Sequence, residues 1–371
     1  DTFKKMWDDD LIYRGERIVN YCTVHQTSFA DIEVVHHDET ASIWEIAYPV
    51  VDQMRDIVVA TTRPETMLGD TAVAVHPDDE RSKDLIGQSV QLPLTNRVIP
   101  IVADEHVDPT FGTGAVKVTP AHDPNDFEIG KRHDLPMIKV IDESGKIIRE
   151  IGGLYGGLAA ISARERIIAD LDAGNQLRGT KEISHSVGHC YKCGSIIEPL
   201  LKEQWFVRMQ PLAEAAIEAL KTGKIAFEPT TKAKELATYL AQLHDWNISR
   251  QPAWGIPIPA FQNVNDPEDW IFDTRVEERT IVTDGKTYRR DEDTLDTWFS
   301  SGQWPYVVTD YLSDGSLKRF FPTDLMETGS DLLRAWVSRM IMFSLYRTGE
   351  IPFKNVYMHG MVLDEKGQKM S

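Results

Sequence analysis

Thr61-Thr62-Arg63-Pro64-Glu65-Thr66-Met67-Leu68-Gly69-Asp70 places hydroxyls, an arginine and two carboxylates directly after the apolar run Ile57-Val58-Val59-Ala60. A short apolar run closed by turn residues reads as a buried strand, so these polar groups gather at a strand end. Residue types alone leave two readings open: a proline turn with a surface ion pair, or a site. Working outward, residues 71–75, 98–102 and 115–119 are further short apolar runs, the first stopped by His76-Pro77. Strands at this spacing predict a small barrel or sandwich between Ser42 and about Val140.

A second polar stretch follows, Phe111-Gly112-Thr113-Gly114-Ala115-Val116-Lys117-Val118-Thr119-Pro120-Ala121-His122-Asp123-Pro124-Asn125-Asp126. Strand alternation sends Lys117 and Thr119 to one face, with Asp123 and Asp126 on the loop beyond. The plain alternative is a solvated loop. It carries less weight because both stretches set polar groups beside apolar strands.

The rest of the chain supplies context. Residues 1–20 read as a helix end followed by a short strand at 17–20, and residues 22–41 as polar and irregular. A helix is expected at 162–171, opened by a Ser162/Glu165 capping box, and residues 185–199 read as irregular again. Beyond Leu200, helices at 211–221 and 232–243 precede a hairpin at 281–288 that turns at Asp284-Gly285. A buried helix over 331–346 and a strand at 356–360 follow. This alternation suits a doubly wound α/β domain.

The length of 371 residues predicts two or three domains. The net charge of −18 lowers the expectation of a long nucleic-acid interface without excluding a local one. No run of about 18 apolar residues occurs, so no membrane partner is expected. Asp1-Thr2-Phe3 is neither a signal peptide nor a natural start, and a cytoplasmic monomer is the expectation. The three cysteines argue against a disulfide framework and leave free thiols or a metal. Cys190-Tyr191-Lys192-Cys193 has zinc-knuckle spacing, and Cys22-Thr23-Val24-His25 offers a partner pair. Cys22, His25, Cys190 and Cys193 make a plausible tetrahedral set, with His185 and His189 as alternative fourth ligands.

Together, the stretches at 61–66 and 122–126 resemble the editing domain inserted into class I aminoacyl-tRNA synthetases of the valyl type. The isoleucyl type usually has tryptophan in place of Glu65. The resemblance runs from Tyr13 to the end of the chain. It implies an α/β fold: a partial Rossmann-like catalytic domain, an inserted β-barrel-type editing domain and a small zinc-binding stalk. The implied boundaries are 1–20 and 201–371 for the catalytic parts, 21–41 and 180–200 for the stalk, and 42–179 for the editing domain.

Such a domain has a physical purpose. Threonine and valine are nearly isosteric, and an apolar pocket rejects the added hydroxyl only about a hundredfold, as is known of valyl enzymes. The resemblance places the hydrolytic site at Thr61, Thr62, Arg63, Thr66, Phe111, Lys117, Thr119, Asp123 and Asp126. Asp126 would hold the α-ammonium or the threonyl hydroxyl, and Arg63 and Lys117 would face the RNA end or the developing ester charge. No Ser-His-Asp or Cys-His arrangement is evident, so attack by a positioned water is expected.

The resemblance also implies a synthetic half. Asp296-Thr297-Trp298-Phe299-Ser300-Ser301 matches a family element in which Trp298, with Leu332 and Trp336, walls the valine pocket. Each tryptophan taken singly reads more readily as core. Glu327, Gly329, Asp331, His359 and Gly360 would bind ATP with magnesium, and Lys369 would lie in the Lys-Met-Ser-Lys-Ser loop that stabilises the transferring phosphates. Ser330 stands where valyl enzymes commonly have an aromatic. No His-x-Gly-His element occurs, so these 371 residues are not expected to make the adenylate.

The expected partners are tRNA(Val) through its 3′ end, valine, threonine and ATP. An isoleucyl or leucyl enzyme, a stand-alone aminoacyl-tRNA deacylase and a zinc-braced RNA-binding module remain as alternatives.

Overall fold

The apolar run ahead of Arg63 forms the strand Asp56–Thr61, burying Ile57, Val59 and Thr61 in alternation. In this computed structural model, every residue except Asp314, Gln368 and Ser371 is described. Ser371, the third residue of the expected lysine loop, therefore lies outside the described residues. The chain divides into two units, Glu16–Glu203 and Asp1–Gly15 with Gln204–Ser371.

In Glu16–Glu203, strand Asp56–Thr61 pairs antiparallel with Val34–Pro49, Ile46 standing opposite Val59. Along its other edge Val34–Pro49 pairs with Leu177–Cys190, from Val34 opposite Cys190 to Ile46 opposite Leu177. Much of the sequence read as irregular at 22–41 and 185–199 is thus one antiparallel ribbon. Its outer residues, such as His36 to Thr40, are exposed. With polar side chains on both faces, apolar alternation never appears, and the backbone ladder alone defines the strands.

A second sheet has the order Ser89–Gln91, Val98–Ala103, Ala72–Val75, Ala115–Val118. Ala72–Val75 runs parallel to Val98–Ala103 and antiparallel to Ala115–Val118. The expected barrel is corrected here: both sheets are open. Among the described residues an isolated bridge, Val50 to Val90, stands between them where a closed barrel needs a continuous ladder. The two sheets share one core, including Ile46, Tyr48, Val59, Val73, Val75 and Ile101. Helix Ala160–Ala173 adds Ala163, Ile167 and Leu171, four residues apart on one face. The expected capping box is absent. The helix begins two residues early, with Ala159 at its cap, so Ser162 already lies within the first turn.

The other unit contains a parallel sheet in the order Ala226–Glu228, Phe353–His359, Thr323–Gly329. Helices Gln210–Lys221 and Thr231–Leu240 form close to their expected positions. Asp284 and Gly285 both take positive φ, 51° and 73°, as a two-residue hairpin turn requires. The expected helix over 331–346 is divided into a π-helical turn, Leu333–Val337, and an α-helix, Ser338–Thr348. The Ser338 hydroxyl and Arg339 Nη1 (2.8 Å) both donate to the Arg334 carbonyl, which accounts locally for the wider turn. Among the described residues, no helix is long and apolar enough to cross a membrane.

Candidate functional site

The 3-10 turn Pro64–Gly69 follows Arg63 and is buried throughout. Gly69 allows it to lie against the chain at 138–140, where an added Cβ would come within 2.5 Å of Val140 Cγ2 and 2.8 Å of the Ile138 carbonyl. Within the turn Glu65 is fully buried and takes a two-pronged ion pair from Arg164, with Nε and Nη2 each at 2.7 Å. Arg63 adds Nε at 3.2 Å and pairs through Nη2 with Glu198. Burial alone would neutralise these groups. The facing carboxylates instead keep Arg63 cationic, and Arg164 then Arg63 hold Glu65 below its ordinary value.

A second buried cluster lies beside the first. Lys117 Nζ donates to Thr66 Oγ1 at 3.1 Å, to Asp70 Oδ1 at 3.4 Å and to Thr119 Oγ1. The Thr119 hydroxyl in turn donates to Asp70 Oδ1, and Tyr48 donates to Asp70 Oδ2 at 2.7 Å. The Thr119 N–H donates to Asp126 Oδ2 at 2.8 Å. Asp123 caps helix Pro124–Arg132, accepting from the N–H groups of Asn125 and Asp126 at 2.8 and 3.1 Å. Burial pushes Asp126 up to about 7, with the Asp123 and Asp70 charges adding to the rise and Lys117 opposing it.

Of the expected hydrolytic residues, Arg63, Thr66, Lys117, Thr119, Asp123 and Asp126 are thus joined by hydrogen bonds or adjacency. Thr61 accepts from the Arg63 N–H at 3.0 Å, Thr62 is half-buried, and Phe111 is 66% exposed on the neighbouring loop. Arg63 and Lys117 were expected to face the RNA end or the developing ester charge. In this structure both cations are paired with carboxylates of their own chain, Arg63 with Glu65 and Glu198 and the buried Lys117 with Asp70.

Sequence reasoning passed over Asp70 and His122, although both stood in the quoted stretches. It passed over Tyr48, Arg164 and Glu198 because only long-range packing brings them in. His122 is a brace. Nδ1 faces the Pro199 carbonyl at 3.2 Å, while Nε2 accepts from the Val140 and Ile141 N–H groups at 2.8 and 3.3 Å. Burial, then the Arg63 charge, push its pKa down to about 3, so it stays neutral. The result is a polar cluster rich in acceptors, without a paired nucleophile and base among the described residues.

Near the outer end of the ribbon, the ligand atoms of Cys22, His25, Cys190 and Cys193 all lie within 4.8 Å of one another. Cys22 Sγ is 3.3 Å from His25 Nδ1 and 3.7 Å from Cys193 Sγ, and Cys190 Sγ is 3.6 Å from His25 Nδ1. Gly194, at φ 71°, turns the knuckle so that its N–H reaches the Cys190 carbonyl at 2.8 Å. This group can hold a metal ion. The alternative ligand His189 is engaged elsewhere, with Nε2 3.2 Å from Glu39 and Nδ1 3.0 Å from the Val187 carbonyl. His185 is likewise outside the group found among the described residues.

In the other unit, the C-terminal ends of the two paired parallel strands collect the expected nucleotide residues. Glu327 Oε1 lies 3.3 Å from His359 Nε2, and His359 Nδ1 lies 2.8 Å from the Gly360 carbonyl. Ser330 donates from both N–H and hydroxyl to the His359 carbonyl, at 3.1 and 3.0 Å. Lys369 pairs with Asp331 at 2.6 Å. An added Cβ on Gly329 would come within 2.6 Å of Asp331 Oδ1. Strand ends of this kind are where open α/β sheets bind ligands. Trp298 and Leu332 are half-buried, as is Trp336, which donates to the Ser301 carbonyl at 3.0 Å and lies edge-on to Trp304 at 6.3 Å. Ser301 belongs to helix Thr297–Ser301, as does Trp298.

Comparison with known proteins gives a consistent result. The family model described as tRNA synthetases class I (I, L, M and V) matches residues 1–371. A valine–tRNA ligase of Syntrophotalea carbinolica is 48% identical across the whole chain, which covers 41% of that relative. Those of Petrotoga mobilis and Thermotoga maritima are 48% and 47% identical, with 42% and 43% of their lengths covered. The chain therefore spans about two fifths of the length of the curated relatives it matches. A solved LeuRS-tRNA-LeuAMS complex of Agrobacterium radiobacter K84 aligns over the whole chain and 52% of its own. At 20% identity and a TM-score of 0.38, it adds nothing to that result.

Proposed function

The chain belongs to the class I tRNA synthetases, and on that premise we propose that it is part of a valine–tRNA ligase whose Glu16–Glu203 unit hydrolyses mischarged threonyl-tRNA(Val). The observation that carries this reading is the buried acceptor cluster of Thr66, Thr119 and Asp126 around Lys117, beside the strand end at Thr61. Such a surface offers partners to a hydroxyl or an ammonium and none to a methyl group.

In this reading Asp126 receives the α-ammonium or the threonyl hydroxyl, with Asp123 and Thr62 nearby and Phe111 at the rim. A water oxygen attacks the ester carbonyl carbon, the bond to the ribose oxygen breaks, and threonine and tRNA leave. Positioning supplies most of the effect, since no residue of the cluster is placed as a covalent nucleophile. Arg63 and Lys117 form its floor. The test is hydrolysis of threonyl-tRNA(Val) by this chain. Release of threonine at the rate of spontaneous ester decay would sink the assignment.

In the whole protein, the other unit would contribute to charging tRNA(Val) with valine. Glu327, Gly329, Asp331, His359 and Gly360 would meet ATP and its magnesium, and Trp298, Leu332 and Trp336 the valine side chain. Lys369 would leave Asp331 to reach the phosphates.

The Cys22, His25, Cys190 and Cys193 group fits structural zinc. Metal–ligand bonds of about 2.0–2.3 Å in a tetrahedron set ligand atoms about 3.3–3.8 Å apart, which matches the 3.3, 3.6 and 3.7 Å separations found. With all four positions filled by protein, such a metal braces the ribbon end. Elemental analysis should find one zinc per chain, and Cys190→Ser should lose it. Loss of the metal should also remove hydrogen-exchange protection from the outer ribbon. Metal-free protein with an equally protected ribbon would count against it.

A further inference from the structure

We infer that Asp70, backed by Tyr48, is the positioning residue that holds Thr119 and Lys117 in place around Asp126. This rests on the hydrolytic reading above and goes beyond the residues that the family resemblance assigns. Asp70 and Tyr48 are both fully buried, and Tyr48 sits in the shared core on strand Val34–Pro49.

The connectivity carries the argument. Asp70 Oδ2 is occupied by the Tyr48 hydroxyl, which fixes the carboxylate plane. Its other oxygen takes the Thr119 hydroxyl proton and a Lys117 proton. Thr119 is then held at both ends, its hydroxyl on Asp70 and its N–H on Asp126. Lys117 has three donors and three acceptors here, Thr66, Asp70 and Thr119, so its charge stays fixed beside Asp70 and within electrostatic reach of Asp126. The Thr66 proton goes to the Arg63 carbonyl at 3.0 Å. Both threonine hydroxyls therefore present lone pairs within the cluster, and Asp70 sets that polarity for Thr119.

The charged groups that act most strongly on Asp126 are Lys117, Asp123 and Asp70. Removing the Asp70 charge takes away a repulsion and releases Lys117 toward Asp126, so Asp126 should ionise at lower pH. The probe is Asp126 itself, followed by carboxyl carbon-13 NMR titration in the intact chain and identified by its loss in Asp126→Asn. In Asp70→Asn the midpoint should move acid-ward. Tyr48→Phe, which deletes one oxygen and keeps the packing, should also move it, because the freed carboxylate redistributes Lys117 and Thr119.

Hydrolysis of threonyl-tRNA(Val) gives the second readout. Each variant should lose about tenfold or more in kcat, the scale of one hydrogen bond to a charged group, with little change in KM. Folding is checked by thermal denaturation. An unmoved Asp126 midpoint in folded variants would overturn the inference even if the wild-type chain hydrolyses the ester. If the wild type is inactive while the midpoint moves as expected, the hydrolytic reading fails and the positioning role stands.

Discussion

Replacing Glu65 by glutamine is expected to lower the unfolding free energy of the Glu16–Glu203 unit by about 3–5 kcal/mol, the scale for breaking a buried ion pair from one side. Glutamine keeps the volume and removes the charge, leaving Arg63 and Arg164 facing a neutral amide. Arg63 retains Glu198, but Arg164 keeps at most one of its two 2.7 Å contacts, and that one to an uncharged oxygen. Arg164 is about one-third exposed, so water recovers part of its loss. Arg63 is exposed to a similar extent and keeps Glu198, so most of the cost falls on the buried Glu65 position.

Glu65 also predicts a pH dependence. Burial opposes its ionisation, yet the two arginines hold its folded pKa below the ordinary value. A depressed carboxylate contributes stability that is present above its unfolded pKa and lost as pH falls through the folded one. Urea denaturation of wild type and variant should therefore differ most at neutral pH and converge under acid conditions. Equal midpoints at pH 7 would show that the ion-pair group does not hold the turn.

Replacing Asp126 by asparagine should reduce threonyl-ester hydrolysis about a hundredfold to a thousandfold, as loss of a central polar contact commonly does. The pH dependence here has the opposite sign to that of Glu65. Burial raises Asp126 to about 7, so the fold favours its neutral form. Its stabilising contribution is present below the ordinary carboxylate value and lost as pH rises through about 7. Activity that needs the carboxylate should rise over the same interval. Above pH 7 the asparagine variant should therefore be less active and at least as stable, the usual exchange at a binding site. A variant both inactive and unfolded would place Asp126 in the scaffold instead.

Local pattern carried much of the architecture. Ile57 to Ala60, Ala72 to Val75 and Ala115 to Val118 are apolar runs with punctuation, and each became a strand. The Asp284-Gly285 turn was legible because its backbone demands those residue types. The ribbon was not, since His36 to Thr40 and their partners show neither face to a core. The barrel expectation failed for a different reason, because strand spacing says nothing about whether a sheet closes.

The candidate site divides the same way. Arg63, Thr66, Lys117, Thr119, Asp123 and Asp126 stand in two stretches that can be read directly. Tyr48, Arg164 and Glu198 are remote in sequence from the groups they neutralise or orient. Only packing reveals that Arg63 and Lys117 are paired with carboxylates of their own chain.

The central claim is that an acceptor-lined site in this chain reads a hydroxyl. Its most direct measurement compares kcat/KM for hydrolysis of threonyl-tRNA(Val) and valyl-tRNA(Val) by the same preparation. A site whose polar groups must be partnered should favour the threonyl ester by about a hundredfold or more. Equal rates for the two esters, or no hydrolysis of either above the spontaneous rate, would contradict it.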